Sequence, residues 1–234
     1  MKILELKTNP SNPTIIKDKK FKMRGIVLLI FAFIFTRGYA QQNIQIMQSF
    51  EGYPVITLEH FNQDKYGTTY FFTDFELNEL KGSPSLALTK IMRTFTIKNQ
   101  WSAHIEYNGG LFLSPAFSAP ISNAYLIGID YFIHSKDFSK TLNLKANYKY
   151  IAIPNESTIQ LSGIWNVHLF NNKLSLLGFA HCWRESGYNI FYAEPQIWYN
   201  LGETISLGGE VKTSYNFNKD GFKATPLIGV KFTL

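Results

Sequence analysis

Twelve side chains able to do polar chemistry recur at alternate positions of otherwise apolar segments. They are Asp74, Glu76, His104, Glu106, Asp130, Lys145, Lys149, His168, Glu194, Gln196, Glu210 and Lys212. His104 and Glu106 form an H-x-E pair, which an extended chain places on one face. Two ligands without a third make no metal site, so neither a metal nor a cofactor is expected. His104 with Glu106, or His168 near Ser162, supplies fragments of a nucleophile–base arrangement. No nucleophile motif surrounds these residues, so no catalytic residue is assigned and an enzyme is not expected. The mixed signs suit a polar wall without strong ion selectivity, past which neutral or zwitterionic solutes could move. The same charges could equally pair with one another and close the space between them. Tyr70 and Phe72 share a face with Asp74 and Glu76, and Phe132 shares one with Asp130. Such rings could stack on a base or sugar, or only fill space. His60, His134 and His181 stand alone and read as structural or solvated.

These residues must be positioned by strands. In "TLNLKANYKYI" (Thr141–Ile151), Leu142, Leu144, Ala146, Tyr148 and Tyr150 alternate with Asn143, Lys145, Asn147 and Lys149. A period of two marks a strand with one apolar and one polar face, and leaves open which face meets water. The pattern recurs along the chain and no 3.6-residue period competes with it. Twelve strands are expected, at roughly 44–50, 55–61, 70–77, 86–95, 101–108, 123–133, 141–151, 157–169, 174–183, 190–199, 204–215 and 223–234. Many run about 9–12 residues, where strands of globular proteins average five or six and tilted membrane strands need about 9–11.

Charge and leader bear on the compartment. The formal charge is +6, and residues 1–40 alone hold eight Lys/Arg against Glu5 and Asp18, so the remainder is neutral. The basic balance belongs to the leader and argues against binding a nucleic acid polymer. "KDKKFKMR" (Lys17–Arg24), the apolar run "GIVLLIFAFIF" (Gly25–Phe35) and "TRGYA" ending at Ala40 have the form of a signal peptide. The run is too short to span a bilayer as a helix. Residues 1–40 are therefore expected to be an N-terminal extension plus signal peptide, cleaved after Ala40, and residues 41–234 the barrel domain. Starting at Met23 would give a leader of ordinary length. The single cysteine, Cys182, leaves no internal disulfide to form.

The orientation of the faces follows from composition. The polar faces are rich in Asn, Gln, Ser and Gly and poor in the Lys/Glu density of a soluble surface. Tyr148, Tyr150, Trp165, Trp183, Trp198, Tyr199 and Tyr215 gather toward strand ends, as in interfacial girdles. "LIGVKFTL" gives an alternating last strand, the signal outer-membrane assembly machinery reads. Tight turns at "NNK" (Asn171–Lys173) and "NLGE" (Asn200–Glu203) interleave with longer links at Arg184–Asn189, Asn216–Phe222 and Asn108–Ser122. Together these predict an all-β protein, a transmembrane antiparallel β-barrel of about twelve strands in a Gram-negative outer membrane. Its apolar faces turn to lipid and the twelve polar residues line the lumen. On this reading Leu144→Lys disrupts assembly while Lys145→Leu is tolerated. Pro195 cannot donate to a ladder, and a bulge is expected there to re-aim Glu194 or Gln196.

"DKYGTTYFFTDFE" (Asp64–Glu76), "IEYNGG" (Ile105–Gly110), "NAYLIGIDY" (Asn123–Tyr131), "DFSKTLNLKANYKYI" (Asp137–Ile151), "EPQIWYNL" (Glu194–Leu201) and "GFKATPLIGVKFTL" (Gly221–Leu234) carry a resemblance. The chain resembles a family of Gram-negative outer-membrane proteins labelled only as a domain of unknown function, similar to nucleoside-specific channel-forming (Tsx-like) porins. The resemblance implies a twelve-stranded monomeric barrel with a narrow pore for small polar solutes, possible nucleosides among them. No nucleoside-contacting position is carried over.

Overall fold

A computed structural model describes residues 40–77, 85–114, 118–217 and 221–234. The expected leader lies outside them except for Ala40, which opens the first strand. Twelve strands follow: β1 (Ala40–Ser49), β2 (Pro54–Asp64), β3 (Gly67–Glu76), β4 (Leu86–Lys98), β5 (Trp101–Leu113), β6 (Ser118–His134), β7 (Lys140–Ile151), β8 (Glu156–Leu169), β9 (Leu174–Glu185), β10 (Tyr188–Asn200), β11 (Ile205–Tyr215) and β12 (Phe222–Thr233). Each pairs antiparallel with its sequence neighbour, and β1 closes on β12 from Asn43↔Thr233 to Ser49↔Leu227. Closure leaves no unpaired edge.

The barrel is polar inside and apolar outside. Among the described residues 23 buried side chains are polar or charged against 13 apolar ones, the reverse of a soluble core. On β7, Leu144 and Tyr148 are 45% and 49% exposed while Lys145 and Asn147 are 4% and 1%. Ile127, Ile159, Leu161, Ile197 and Ile228 continue the apolar exterior on neighbouring strands. A contiguous apolar exterior of this kind marks a membrane or protein interface.

Three expectations are corrected. The strands β5 and β6 run through most of the expected 108–122 loop. Gly109 and Gly110 look like a turn in sequence but permit close pairing instead: a Cβ on Gly110 would lie 2.1 Å from Ala87 O. The register shifts there, between Asn108 and Gly110. Pro195, by contrast, sits in an unbulged ladder. Phe191↔Tyr215 and Asn200↔Ser206 share one register, and Pro195 pairs with Gly178 on the other side. Only the Glu194 and Pro195 pairs toward β11 lapse, so the missing N–H removes a local bond without inserting a residue. The Arg184–Asn189 link is also tight, since Ser186 and Gly187 both take positive φ (51° and 86°) and close a two-residue hairpin.

Candidate functional site

All twelve residues singled out above are buried or half-buried within the barrel. Strand parity puts them there, and the closed ladder then brings together residues from distant strands. Asp130 (β6) accepts from Lys145 Nζ (β7) at 3.0 Å and lies 3.2 Å from His104 Nδ1 (β5). His104 Nε2 lies 3.1 Å from Glu106 Oε2. Both ring nitrogens thus meet carboxylate oxygens, and Nδ1 also lies 3.3 Å from Lys145 Nζ. Lys145 also lies 3.3 Å from the Met92 sulfur. Glu106 continues to Lys90 Nζ (β4) at 3.7 Å, and Lys90 reaches His181 Nε2 (β9) at 3.1 Å.

A second cluster centres on Lys212 (β11), which donates to Asp74 Oδ2 at 3.3 Å and Glu76 Oε1 at 3.1 Å (β3). Thr57 donates to the other oxygen of Asp74 at 2.6 Å. Glu194 accepts from Tyr192, and Glu210 accepts from Gln196 Nε2 at 3.0 Å. Lys149 lies 3.6 Å above the Trp183 ring, and His168 meets Ser175 Oγ at 2.9 Å.

The interior holds a cavity of about 950 Å³ that reaches the turns at the end where β1 begins and β12 finishes, where Gly67, Asn99 and Phe138 line it. At that mouth His134 stacks on Phe138, with centroids 4.1 Å apart. Asp137 in the adjoining turn is held at about 2 by donors from Ser135 and Ser139. The inner wall reaches Asp74, Lys90, Glu106, His181 and Glu194. Of the twelve residues, Asp74, Glu106, Asp130, His168, Glu194, Gln196 and Glu210 are on this wall, whereas Glu76, His104, Lys145, Lys149 and Lys212 are off it. Toward the opposite end Leu126, Ile151, Trp183 and Ile190 form an apolar cluster, with Tyr192 and Phe217 packed against it.

Sequence reasoning placed Trp183 and Trp198 in lipid-facing girdles; both point inward, at 8% and 0% exposure. Trp198 donates to Gln196 Oε1, and Trp183 to Glu185 Oε2. Tryptophan on a strand end is equally suited to either side when its N–H finds a partner. His181 is not isolated, as it contacts Lys90 and Ser162. Glu59, Lys90 and Lys231 also line the cavity and were missed. In β4 both faces are apolar, with Met92 inside and Ile91 outside, so Lys90 has no clean alternation to announce it. Glu59 is hidden likewise, because Val55 and Phe61 share its inward parity.

The Ser162–His181 pair, 2.8 Å apart, has the wrong polarity for a nucleophile and base. The Lys90 ammonium only donates, so it occupies the Nε2 lone pair and leaves Nδ1–H to donate to Ser162. Ser162 also accepts from Gln160 at 3.2 Å.

The described residues thus define a closed twelve-stranded antiparallel barrel with an apolar exterior and a polar-walled cavity. Residues 42–234 match the family described as "Domain of unknown function (DUF5020)", and the chain belongs to that family. No curated protein matches it. Among solved structures it is similar to "NanC porin" (TM-score 0.54, 10% identity, 82% of this chain and 100% of that one). It is also similar to "KdgM porin" (0.53, 8%, 83% and 99%) and to "KdgM porin in complex with disordered oligogalacturonate" (0.52, 8%, 83% and 99%). At these identities the likeness is one of fold.

Proposed function

We propose that this barrel sits in the outer membrane of a Gram-negative bacterium and passes small polar solutes through its lumen. The observation that carries the reading is the 950 Å³ cavity, entered at one end and walled by polar groups and rings. Its volume is at the upper end of the roughly 300–1,000 Å³ of small-molecule sites. The apolar exterior and the porin fold support the membrane setting, with lipid and the assembly machinery as partners and a monomer as the working unit. The inverted polarity of Ser162 and His181 supports a channel over an enzyme.

Nucleosides are the solutes to test first. Tyr70, Phe72, Phe132 and Phe179 line the cavity beside polar groups, and a base could stack on such rings for about 1–3 kcal/mol. Liposome swelling with nucleosides against sugars of equal size tests this. Faster entry of nucleosides supports the assignment, equal rates remove it, and no swelling with any solute removes the channel.

One arrangement favours a second reading, a closed barrel with a structural or surface role. The Lys90–His181 and Lys212–Asp74 contacts join non-adjacent strands across the interior, and the apolar cluster packs beyond them. Single-channel recording separates the two: discrete conductance steps belong to the channel, and none to the closed barrel.

A further inference from the structure

The inward charges look balanced in sequence, but the structure pairs them unevenly. Asp64, Asp74, Glu106 and Asp130 have Lys or Arg partners, whereas Glu59, Glu194 and Glu210 have none within 4 Å among the described residues. Seven carboxylates line the cavity against two lysines. The other inward lysines are drawn off the wall: Lys145 to Asp130, Lys212 to Asp74 and Glu76, and Lys149 onto the Trp183 ring. The two wall lysines are engaged as well. Lys90 is held by Glu106 and His181 between the Phe72 and Phe179 rings, 5.6 and 5.1 Å from their centroids. Lys231 lies 4.7 Å over the Trp198 ring.

The wall also carries hydrogen-bonding capacity of one sign. Glu210 Oε1, Asp130 Oδ1, Asn143 Oδ1 and Asn166 Oδ1 are buried and have no hydrogen-bond partner among the described residues. All four are acceptors and all four residues line the cavity. Glu210 is 5% exposed and Asp130 2%, so these oxygens cannot satisfy themselves at an outer surface. Glu194, Asp74 and Glu59 stand close enough to Glu210 to repel it, and Lys212 close enough to attract it. A guest that donates hydrogen bonds and carries positive charge would satisfy the acceptors and relieve the repulsion together.

We propose that the cavity binds small organic cations, specifically protonated amines, through the carboxylate patch of Glu59, Asp74, Glu194 and Glu210. Two features favour an organic cation over an inorganic one. Tyr70 stands on the same wall, where an aromatic ring attracts ammonium groups, and Phe72 and Phe179 already hold the Lys90 ammonium in this way. Among the described residues no group of three or more His, Cys, Asp or Glu is placed to hold a metal ion. The inference rests on the solute-path reading and narrows its substrate class from neutral polar molecules to amines.

The test uses one sugar scaffold in three charge states, with the purified full chain in detergent. Glucosamine (with its amine protonated), glucose and glucuronate are titrated by calorimetry in constant sodium chloride. Glucosamine binds about tenfold or more tightly than glucose, the value of one charge-assisted hydrogen bond, and glucuronate binds more weakly than glucose. Glu210→Gln keeps the shape of the site and brings the glucosamine-to-glucose ratio toward one, while heat-modifiable gel migration shows that the variant is folded. Equal affinities in the parent protein overturn the proposal, as does stronger binding of glucuronate. Full amine preference in both Glu210→Gln and Glu194→Gln also overturns it, as does displacement of glucosamine by sodium ion at equal concentration. Planar-bilayer conductance is recorded separately. A barrel that prefers the amine but never conducts keeps this inference and loses the channel, and one that conducts without preference does the reverse.

Discussion

Lys90 Nζ stands 3.1 Å from His181 Nε2 and 3.7 Å from Glu106 Oε1, so a single ammonium joins β4 and β5 to β9 through the interior of the barrel. These strands are not ladder neighbours, apart from β4 and β5. The contact therefore crosses space that any solute moving along the axis must share.

Lys90→Met keeps the length of the side chain and removes the bridge. Glu106 retains His104, so the cost to stability is about 1–3 kcal/mol. Single-channel conductance rises relative to the parent protein. An unchanged conductance in a folded variant places the constriction elsewhere.

Leu144 and Lys145 are adjacent in sequence and opposite in setting. Leu144→Lys puts a charge on the apolar exterior at a cost of about 2–4 kcal/mol if it lies near the bilayer midplane. The alternation alone predicts that Lys145→Leu is tolerated, but Lys145 is 3.0 Å from Asp130 and both are buried. Removing one partner of a buried pair costs about 3–5 kcal/mol. Both single variants lower the denaturant midpoint of the refolded barrel, and Asp130→Asn combined with Lys145→Leu recovers part of the loss. Absence of that recovery means that the pair is not coupled.

Gly178 faces Pro195 across the β9–β10 ladder with φ of +147°, and a Cβ there would lie 2.5 Å from Glu194 O and 2.9 Å from Pro195 Cα. Gly178→Ala forces two backbones apart at a cost of about 1–3 kcal/mol. Gly202→Ala meets nothing within 4 Å and leaves stability unchanged. Thermal loss of the heat-modifiable form compares the two, and equal behaviour of the variants removes the close-approach argument.

Much of the fold is legible before any coordinates. Twelve strands form where twelve were expected, although β4 lacks a clean alternation and β5 and β6 run past their expected ends. The twelve polar residues share the inward parity because successive side chains of a strand point to opposite faces. The failures are local. The "NGG" of Asn108–Gly110 reads as a turn from composition, yet its glycines serve close strand pairing. Pro195 reads as a bulge, yet one lapsed stretch of ladder accommodates it.

The sequence by itself determined an all-β chain with one apolar and one polar face to most strands, and a charge excess confined to its first forty residues. Periodicity is a local property, so a linear chain can display it. Only the closed barrel decided which charges meet. Lys90 and His181 are 91 positions apart, and Lys212 and Asp74 are 138. Closure also drew three lysines off the cavity wall and left carboxylate and amide oxygens upon it. Charge interaction depends on distance in space, and that distance is set by ladder register and strand tilt around the whole barrel.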